Sequence, residues 1–169
     1  YAADLVLPKS FGADELAAAL AAVPAPADNG PFARSRAIYD YVIEAFTPDN
    51  AAMQASPIKD VFAAKKGGSL DYAQVTAALM RAAGIPARIE CGFYLPENRS
   101  PETVNVTPGA AWVSFYVDGI GWTECDPFMA DRFPELKDYL FAGLDANRVK
   151  TGVGPAPALL PLPEAGAPL

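Results

Sequence analysis

The pattern of apolar and polar positions divides the chain into a helical first part and a strand-rich second part. Residues 13–23 are predicted to form a short helix that is acidic in its first turn and stops before Pro24. The segment Ile58–Ala64 is apolar but too short to be assigned to a helix or a strand. Between them, a helix ending before Pro48 is predicted from four apolar residues at helical spacing: Ile38, Tyr41, Val42 and Phe46.

The next helix has the clearest ends. Its apolar face is formed by Tyr72, Val75, Leu79 and Ala83. Ser69 is predicted to be its N-cap, because a serine hydroxyl can accept a hydrogen bond from a free amide of the first turn. Asp71 lies in that turn, where a negative charge is favourable. Gly84 suits a left-handed C-terminal cap and Pro86 prevents continuation, so we expect the helix to end there.

Three strands are predicted after the helices: Ala87–Tyr94, Ala110–Val117 and Trp122–Asp126. Gly119 and Gly121 favour a tight turn between the last two, which should therefore pair antiparallel. The stretch 95–108 is predicted to be a loop, and residues 127–139 to be irregular or weakly helical. Helices followed by antiparallel strands indicate an α+β fold, with the helices packed on an antiparallel β-sheet.

We expect residues 1–152 to form a single domain whose core spans about residues 30–150. Residues 153–169 are rich in proline and alanine, and are predicted to form a tail or arm without helix or central strand. The chain begins at Tyr1 rather than Met, so we expect either a trimmed piece of a longer chain or a mature chain after removal of a signal peptide. A secreted or periplasmic location and a cytoplasmic one both stay open.

Composition excludes several classes of function. The net charge of −7 and the sequence pI near 4.5 argue against nucleic acid and anionic membranes as partners. The sequence lacks an uncharged apolar run of roughly 18 residues, so no membrane insertion is expected. The chain has two cysteines and no histidine, so we expect no metal site and no cofactor. Cys91 and Cys125 fall in predicted strands, either as buried thiols or as a disulfide.

Several motifs occur in an order that resembles a known superfamily. The helix is followed by the run Gly84–Arg88 (GIPAR), and then come a strand with Ala111-Trp112-Val113, a Gly-Trp hairpin and Asp126-Pro127. Together with the ending at 139–149, this order is similar to the transglutaminase-like superfamily, in particular its bacterial, protease-like members. The resemblance implies a papain-like core and a cysteine protease or transglutaminase ancestry.

In that superfamily a cysteine at the start of the helix, a histidine at the start of a strand and an aspartate after the hairpin form a catalytic triad. The matching positions here hold Ser69, Ala110 and Asp126. A serine hydroxyl is a poor nucleophile unless a base removes its proton, and the usual base, histidine, is absent from the whole sequence. Lys65 and Lys66 are near in sequence but precede the helix. The sequence therefore predicts a degenerate triad and a pseudoenzyme, with no triad-equivalent residue expected to be active.

Two functions follow from the resemblance. The first is a catalytically inactive protein- or peptide-binding or structural module, whose partner is a protein, a peptide or a neighbouring domain of a larger chain. The second is a hydrolase or acyltransferase on amide or ester bonds, with Ser69 in place of the cysteine and a lysine or water as base. A relocated nucleophile at Cys91 is disfavoured because no base accompanies it. The candidate cleft consists of Ser69, Tyr72, Trp112, Trp122 and Asp126.

Each cleft residue also has a structural interpretation. The two tryptophans and Tyr72 are equally suited to core packing, as is Tyr94. Arg88 is expected to be a structural, ion-paired residue. Without a histidine beside it, a retained Asp126 carboxylate must find other donors, such as a hydroxyl, an amide or an arginine.

Overall fold

The computed structural model describes residues 1–9, 11–50, 55–95 and 107–154, apart from the side chains of residues 107 and 108. The described helices are α1 Ala13–Ala21, α2 Pro31–Ala45, α3 Ile58–Ala64, α4 Ser69–Ala82 and α5 Pro127–Arg132. The described strands are β1 Thr47–Pro48, β2 Lys66–Gly67, β3 Ala87–Tyr94, β4 Thr107–Val117, β5 Gly121–Cys125 and β6 Arg148–Val153. Short 3-10 helices cover Ala2–Leu5 and Pro134–Leu136.

The main sheet has the strand order β5-β4-β3-β6, and every neighbouring pair is antiparallel. Helix α4 packs on β3 and β4 and is itself surrounded by α1, α2, α3 and α5. The predicted α+β class, with helices on an antiparallel sheet, is therefore confirmed. The predicted hairpin is also present: Val117 pairs with Gly121 across a turn in which Gly119 has φ of +83°. Within the described ranges, no helix is long and apolar enough to cross a bilayer.

Alternate residues of β4 face opposite sides of the sheet, as the period of a strand requires. Ala111, Val113 and Phe115 belong to the hydrophobic core beneath α4. Trp112 and Ser114 lie on the opposite side, which we call the outer face. The sheet thus separates an apolar helical layer from a more polar surface.

The N-terminus of α4 differs from the prediction. Gly68, not Ser69, is the N-cap, and its amide donates a hydrogen bond of 2.9 Å to Asp71 Oδ2. The cap is therefore closed by an aspartate in the third position of the helix, which leaves the Ser69 hydroxyl free to bond elsewhere. The C-terminal end of α4 has the predicted left-handed cap: Gly84 has φ of +79°, and the Ile85 amide donates to the Met80 carbonyl.

Other elements refine the sequence interpretation or correct it. In α2 the buried stripe includes Tyr39, which is 0% exposed, whereas Tyr41 is half-buried beside Lys65. The ambiguous segment 58–64 is helical, and part of the stretch 127–139 forms α5 and a 3-10 turn. The third predicted strand ends one residue earlier than expected, because Asp126 caps α5 by accepting from the Met129 amide.

The sequence analysis missed β6. This edge strand is mostly exposed and carries charged residues, so its apolar alternation is weak. Most of the predicted loop, at 96–106, and the tail from 155 to 169 lie outside the described residues.

Candidate functional site

Ser69, which the resemblance matches to the family nucleophile, is hydrogen-bonded to the sheet. It is the first residue of α4 and is 7% exposed. Its Oγ donates to the Ala111 carbonyl at 2.9 Å and accepts from the Ala111 amide, also at 2.9 Å. The hydroxyl therefore serves both backbone groups of one β4 residue and joins the start of the helix to the strand.

Asp126 is completely buried, and its carboxylate accepts from three donors. Oδ1 accepts from the Met129 amide at 2.9 Å. Oδ2 accepts from the Tyr94 hydroxyl at 2.7 Å and from Arg148 Nη1. An amide, a hydroxyl and an arginine thus supply the hydrogen bonds that a buried carboxylate requires.

Tyr94, at the end of β3, lies between these two residues. Its hydroxyl donates to Asp126 Oδ2 and is 3.5 Å from Ser69 Oγ. Burial, and then the negative charge of Asp126, raise the pKa of Tyr94 well above its usual value. The phenol therefore stays protonated at neutral pH and acts as a donor to Asp126.

Arg148, at the start of β6, supplies the positive charge. Its side chain is 5% exposed, and it also donates to Asp145 Oδ2 from Nε at 3.1 Å and from Nη2 at 3.0 Å. Burial is the largest single influence and lowers the pKa of Arg148, but the interactions with Asp126, Tyr94 and Asp145 together outweigh it and raise that pKa above its ordinary value. The guanidinium carbon lies 4.8 Å from the centre of the Tyr94 ring and 5.4 Å from that of Trp112. We call Ser69, Tyr94, Asp126 and Arg148 the buried network.

The sequence analysis did not single out Arg148. Gly92, however, indicated that another segment of the chain approaches β3 closely, and that segment is β6, which carries Arg148. A Cβ at Gly92 would lie 2.0 Å from the Val149 carbonyl oxygen, so glycine is required for the close approach of β6. A glycine inside a strand is typical of such an approach. The second signal was an Asp126 retained in a chain without histidine. If such a carboxylate is buried, its counter-charge must be a lysine or arginine from elsewhere in the chain.

A family model for the Transglutaminase-like superfamily matches residues 18–127. The chain belongs to the transglutaminase-like superfamily. No curated protein matches it. The matched range contains Ser69 on α4, Ala110 on β4 and Asp126 at the N-cap of α5, and it ends before Arg148.

Solved structures support the same fold. A cysteine protease candidate from Cytophaga hutchinsonii has a TM-score of 0.60 at 18% identity, over 90% of this chain and 46% of that one. The periplasmic domain of TgpA from Pseudomonas aeruginosa, in its ethylmercury-bound crystal structure, has a TM-score of 0.59 at 26% identity, over 78% and 49%. A second crystal structure of that domain has a TM-score of 0.57 at 26% identity, over 79% and 48%. The chain thus spans about half the length of the structures it matches.

Relative to the superfamily triad, the structure brings two of the five candidate cleft residues together and separates two others. Ser69 and Asp126 are joined through Tyr94. Tyr72 is 0% exposed and packs in the core, with its hydroxyl donating to Asp131 Oδ2 at 2.6 Å. Its ring packs against Phe46 and Phe128, so the structure places Tyr72 in the core and not on an open cleft.

The two tryptophans differ in their exposure and in the residues they contact. Trp112 is 2% exposed and borders the buried network through Arg148. Trp122 is half-buried and stacks on Arg88, whose guanidinium carbon is 3.9 Å from the ring centre. As expected, Arg88 is ion-paired, through two hydrogen bonds to Asp4 of 2.7 and 2.9 Å.

Groups that could replace the histidine are engaged elsewhere. Ala110, at the histidine position, is 3% exposed and carries only a methyl group. Lys65 Nζ is 3.2 Å from the Tyr41 hydroxyl and lies over the Phe46 ring, and Lys66 is paired with Asp49. Both cysteines are free thiols, and no group of metal-ligating side chains is present among the described residues.

Proposed function

We propose that this domain is a catalytically inactive member of the transglutaminase-like superfamily, and that it acts as a protein- or peptide-binding or structural module. The observation that carries the proposal is the bonding of the Ser69 hydroxyl. It is shared between the Ala111 carbonyl and amide, and no basic side chain of the described residues lies within hydrogen-bonding distance of it.

The chemistry of the network supports the same conclusion. A serine nucleophile needs a group that accepts its proton as the bond to the substrate forms. The nearest side-chain oxygen is the Tyr94 phenol, which is protonated and already directs its proton to Asp126. Asp126 in turn has Arg148 as its counter-charge. The polar groups of the buried network therefore satisfy one another, and none is left to accept the proton of Ser69.

Burial also limits what the network can contact. Ser69 is 7% exposed, Asp126 is 0% exposed and the Arg148 side chain is 5% exposed. A partner that binds this domain therefore uses other surfaces, and the network serves to hold α4, β3, β4 and β6 in register.

Labelling with a fluorophosphonate probe for activated serines tests the absence of catalysis. We expect the folded wild-type protein to label no more strongly than Ser69→Ala, while trypsin in the same experiment labels fully. Labelling of the wild type that disappears in Ser69→Ala would contradict the proposal and support the hydrolase or acyltransferase alternative.

A further inference from the structure

A groove of about 350 Å³ lies on the outer face of the sheet. Strands β3 to β6 form its floor and the segment 142–144 forms one rim. Ala142, on this rim, has φ of +61°, a conformation that is uncommon outside glycine and shows that the rim is shaped by its surroundings. The side chains that carry the argument are Arg88, Glu90, Ser114, Trp122, Glu124 and Lys150.

Trp112 separates this groove from the buried network. Its ring faces the guanidinium of Arg148, and its Nε1 donates to Glu124 Oε1 at 3.1 Å. The groove and the network are therefore two different polar clusters that share one indole as a wall.

Glu90 is the unusual residue of the groove. It is 2% exposed, yet its Oε2 accepts no aligned hydrogen bond from the described residues. Its counter-charge is the Lys150 ammonium, whose Nζ lies 2.6 Å from Oε2 in an ion pair. The Lys150 side chain is 49% exposed and flexible by nature, so it can return to water at little cost once another cation pairs with Glu90. Arg88 acts on Glu90 only from a longer distance, so the direct ion pair of this buried carboxylate is made by a cation that can be replaced.

The other polar groups of the groove leave a negative charge in excess. Arg88 is already committed to Asp4 by two hydrogen bonds. Glu124 receives only a neutral indole N–H among the hydrogen bonds of the described residues. With Arg88 held by Asp4, Lys150 is left as the lining cation nearest to the two lining carboxylates, Glu90 and Glu124. The net charge of the whole chain, −7, has the same sign.

The Ser114 hydroxyl lies on β4 directly opposite Arg88 on one side and Glu124 on the other. It is 5% exposed and has no hydrogen-bond partner among the described residues. A ligand in the groove would therefore meet a hydroxyl that is ready to bond beside two carboxylates.

We infer that this groove binds a lysine or arginine side chain of a protein or peptide partner, with Glu90 as its counter-ion and Glu124 as a second acceptor. Lys150 then occupies the site as an internal substitute until the partner displaces it. The inference rests on the proposed binding role, which it deepens by naming the surface and the chemistry of the partner.

Two capped tripeptides, acetyl-Ala-Lys-Ala-amide and its norleucine analogue, test the inference by titration of the ¹⁵N-labelled domain in NMR. They have the same length and apolar stem and differ in the charge of one side chain. We expect the lysine peptide to shift amide signals of β3, β5 and β6 and to bind about tenfold more tightly than the analogue. The difference should shrink in about 0.5 M salt, where charges are strongly screened.

Two pairs of variants make the test specific. Glu90→Gln should weaken binding of the lysine peptide about tenfold, whereas Glu135→Gln, the same charge change at an exposed residue outside the groove, should not. Lys150→Met removes the internal competitor and should strengthen binding several-fold, unlike Lys59→Met on α3.

Equal binding of the two peptides, equal effects within a variant pair, or no binding of the lysine peptide would overturn the inference. These outcomes are independent of serine labelling. An unlabelled Ser69 together with an empty groove would leave the proposed inactivity standing and remove only this site.

Discussion

Asp126 and Glu90 are both carboxylates that the fold takes almost completely out of water, but they are neutralised in different ways. Asp126 has an amide, a hydroxyl and a buried arginine as donors. Glu90 has one ion pair, to a lysine that is half in solvent. A fully satisfied buried group holds a structure together, whereas an under-satisfied one costs stability and is suited to binding. The difference supports both proposals: a structural role for the buried network and a binding role for the outer face.

The largest effect is expected from Arg148→Met. This change leaves the charge of Asp126 buried without a counter-ion, and should lower the free energy of unfolding by about 3–5 kcal/mol in urea denaturation. Combining it with Asp126→Asn removes the unpaired charge, so the double variant should be more stable than Arg148→Met alone. Arg132→Met, at an exposed arginine of α5, should change stability by less than about 0.5 kcal/mol. A double variant less stable than the single one would show that Arg148 does not act through Asp126.

Tyr94→Phe should have an intermediate effect. It removes one donor from Asp126 Oδ2 and leaves the ring in place, at an expected cost of about 1–3 kcal/mol in thermal or urea unfolding. The matched change Tyr139→Phe, at a residue that is 55% exposed, should cost almost nothing. Similar costs for the two tyrosines would mean that the Tyr94 hydroxyl contributes no stabilising bond to the network.

Glu90→Gln tests whether the Glu90 carboxylate, unlike that of Asp126, contributes little to the stability of the fold. Because a neutral amide is easier to bury than a carboxylate with one replaceable partner, we expect stability to stay within about 1 kcal/mol of the wild type or to rise. Asp126→Asn, the same chemical change in the buried network, should instead destabilise by several kcal/mol, on the order of the buried-pair values. A large loss of stability in Glu90→Gln would place Glu90 with the structural carboxylates.

The smallest expected effect is on the pH dependence of stability that results from the ion pair between Asp4 and Arg88. The hydrogen bond from Arg88 lowers the pKa of Asp4 below its ordinary value. A lowered pKa in the folded state means that the pair stabilises the protein above about pH 4, the unfolded value, and that this stabilisation is lost as the pH falls through the lowered pKa. Asp4→Asn should therefore be less stable than the wild type at pH 6, by under about 1 kcal/mol, and the gap should close at low pH. A gap that widens in acid would contradict the assignment.

Local patterns predicted much of the fold because local physics determines those elements. Helix α4 ends as expected because Gly84 alone can take its left-handed φ without strain, and β3 has the predicted bounds Ala87–Tyr94. The β4–β5 hairpin follows from its glycines. Strand β6 was not predicted, because an exposed edge strand does not require the alternation of apolar residues by which strands are recognised. Ser69 was assigned to the wrong role because a glycine can be the N-cap when an aspartate closes the turn.

The sequence by itself determined the α+β fold class, membership of the superfamily and the absence of any histidine, since each depends on residue identities and their spacing. Only the tertiary structure decided what became of the remaining aspartate. Arg148 is 22 residues from Asp126 in the chain and reaches it because β6 returns to the edge of β3 over Gly92. The groove has the same origin: Arg88, Ser114 and Glu124 become neighbours through strand register. Burial and long-range pairing set the charge balance at both sites, and neither is encoded in any one segment.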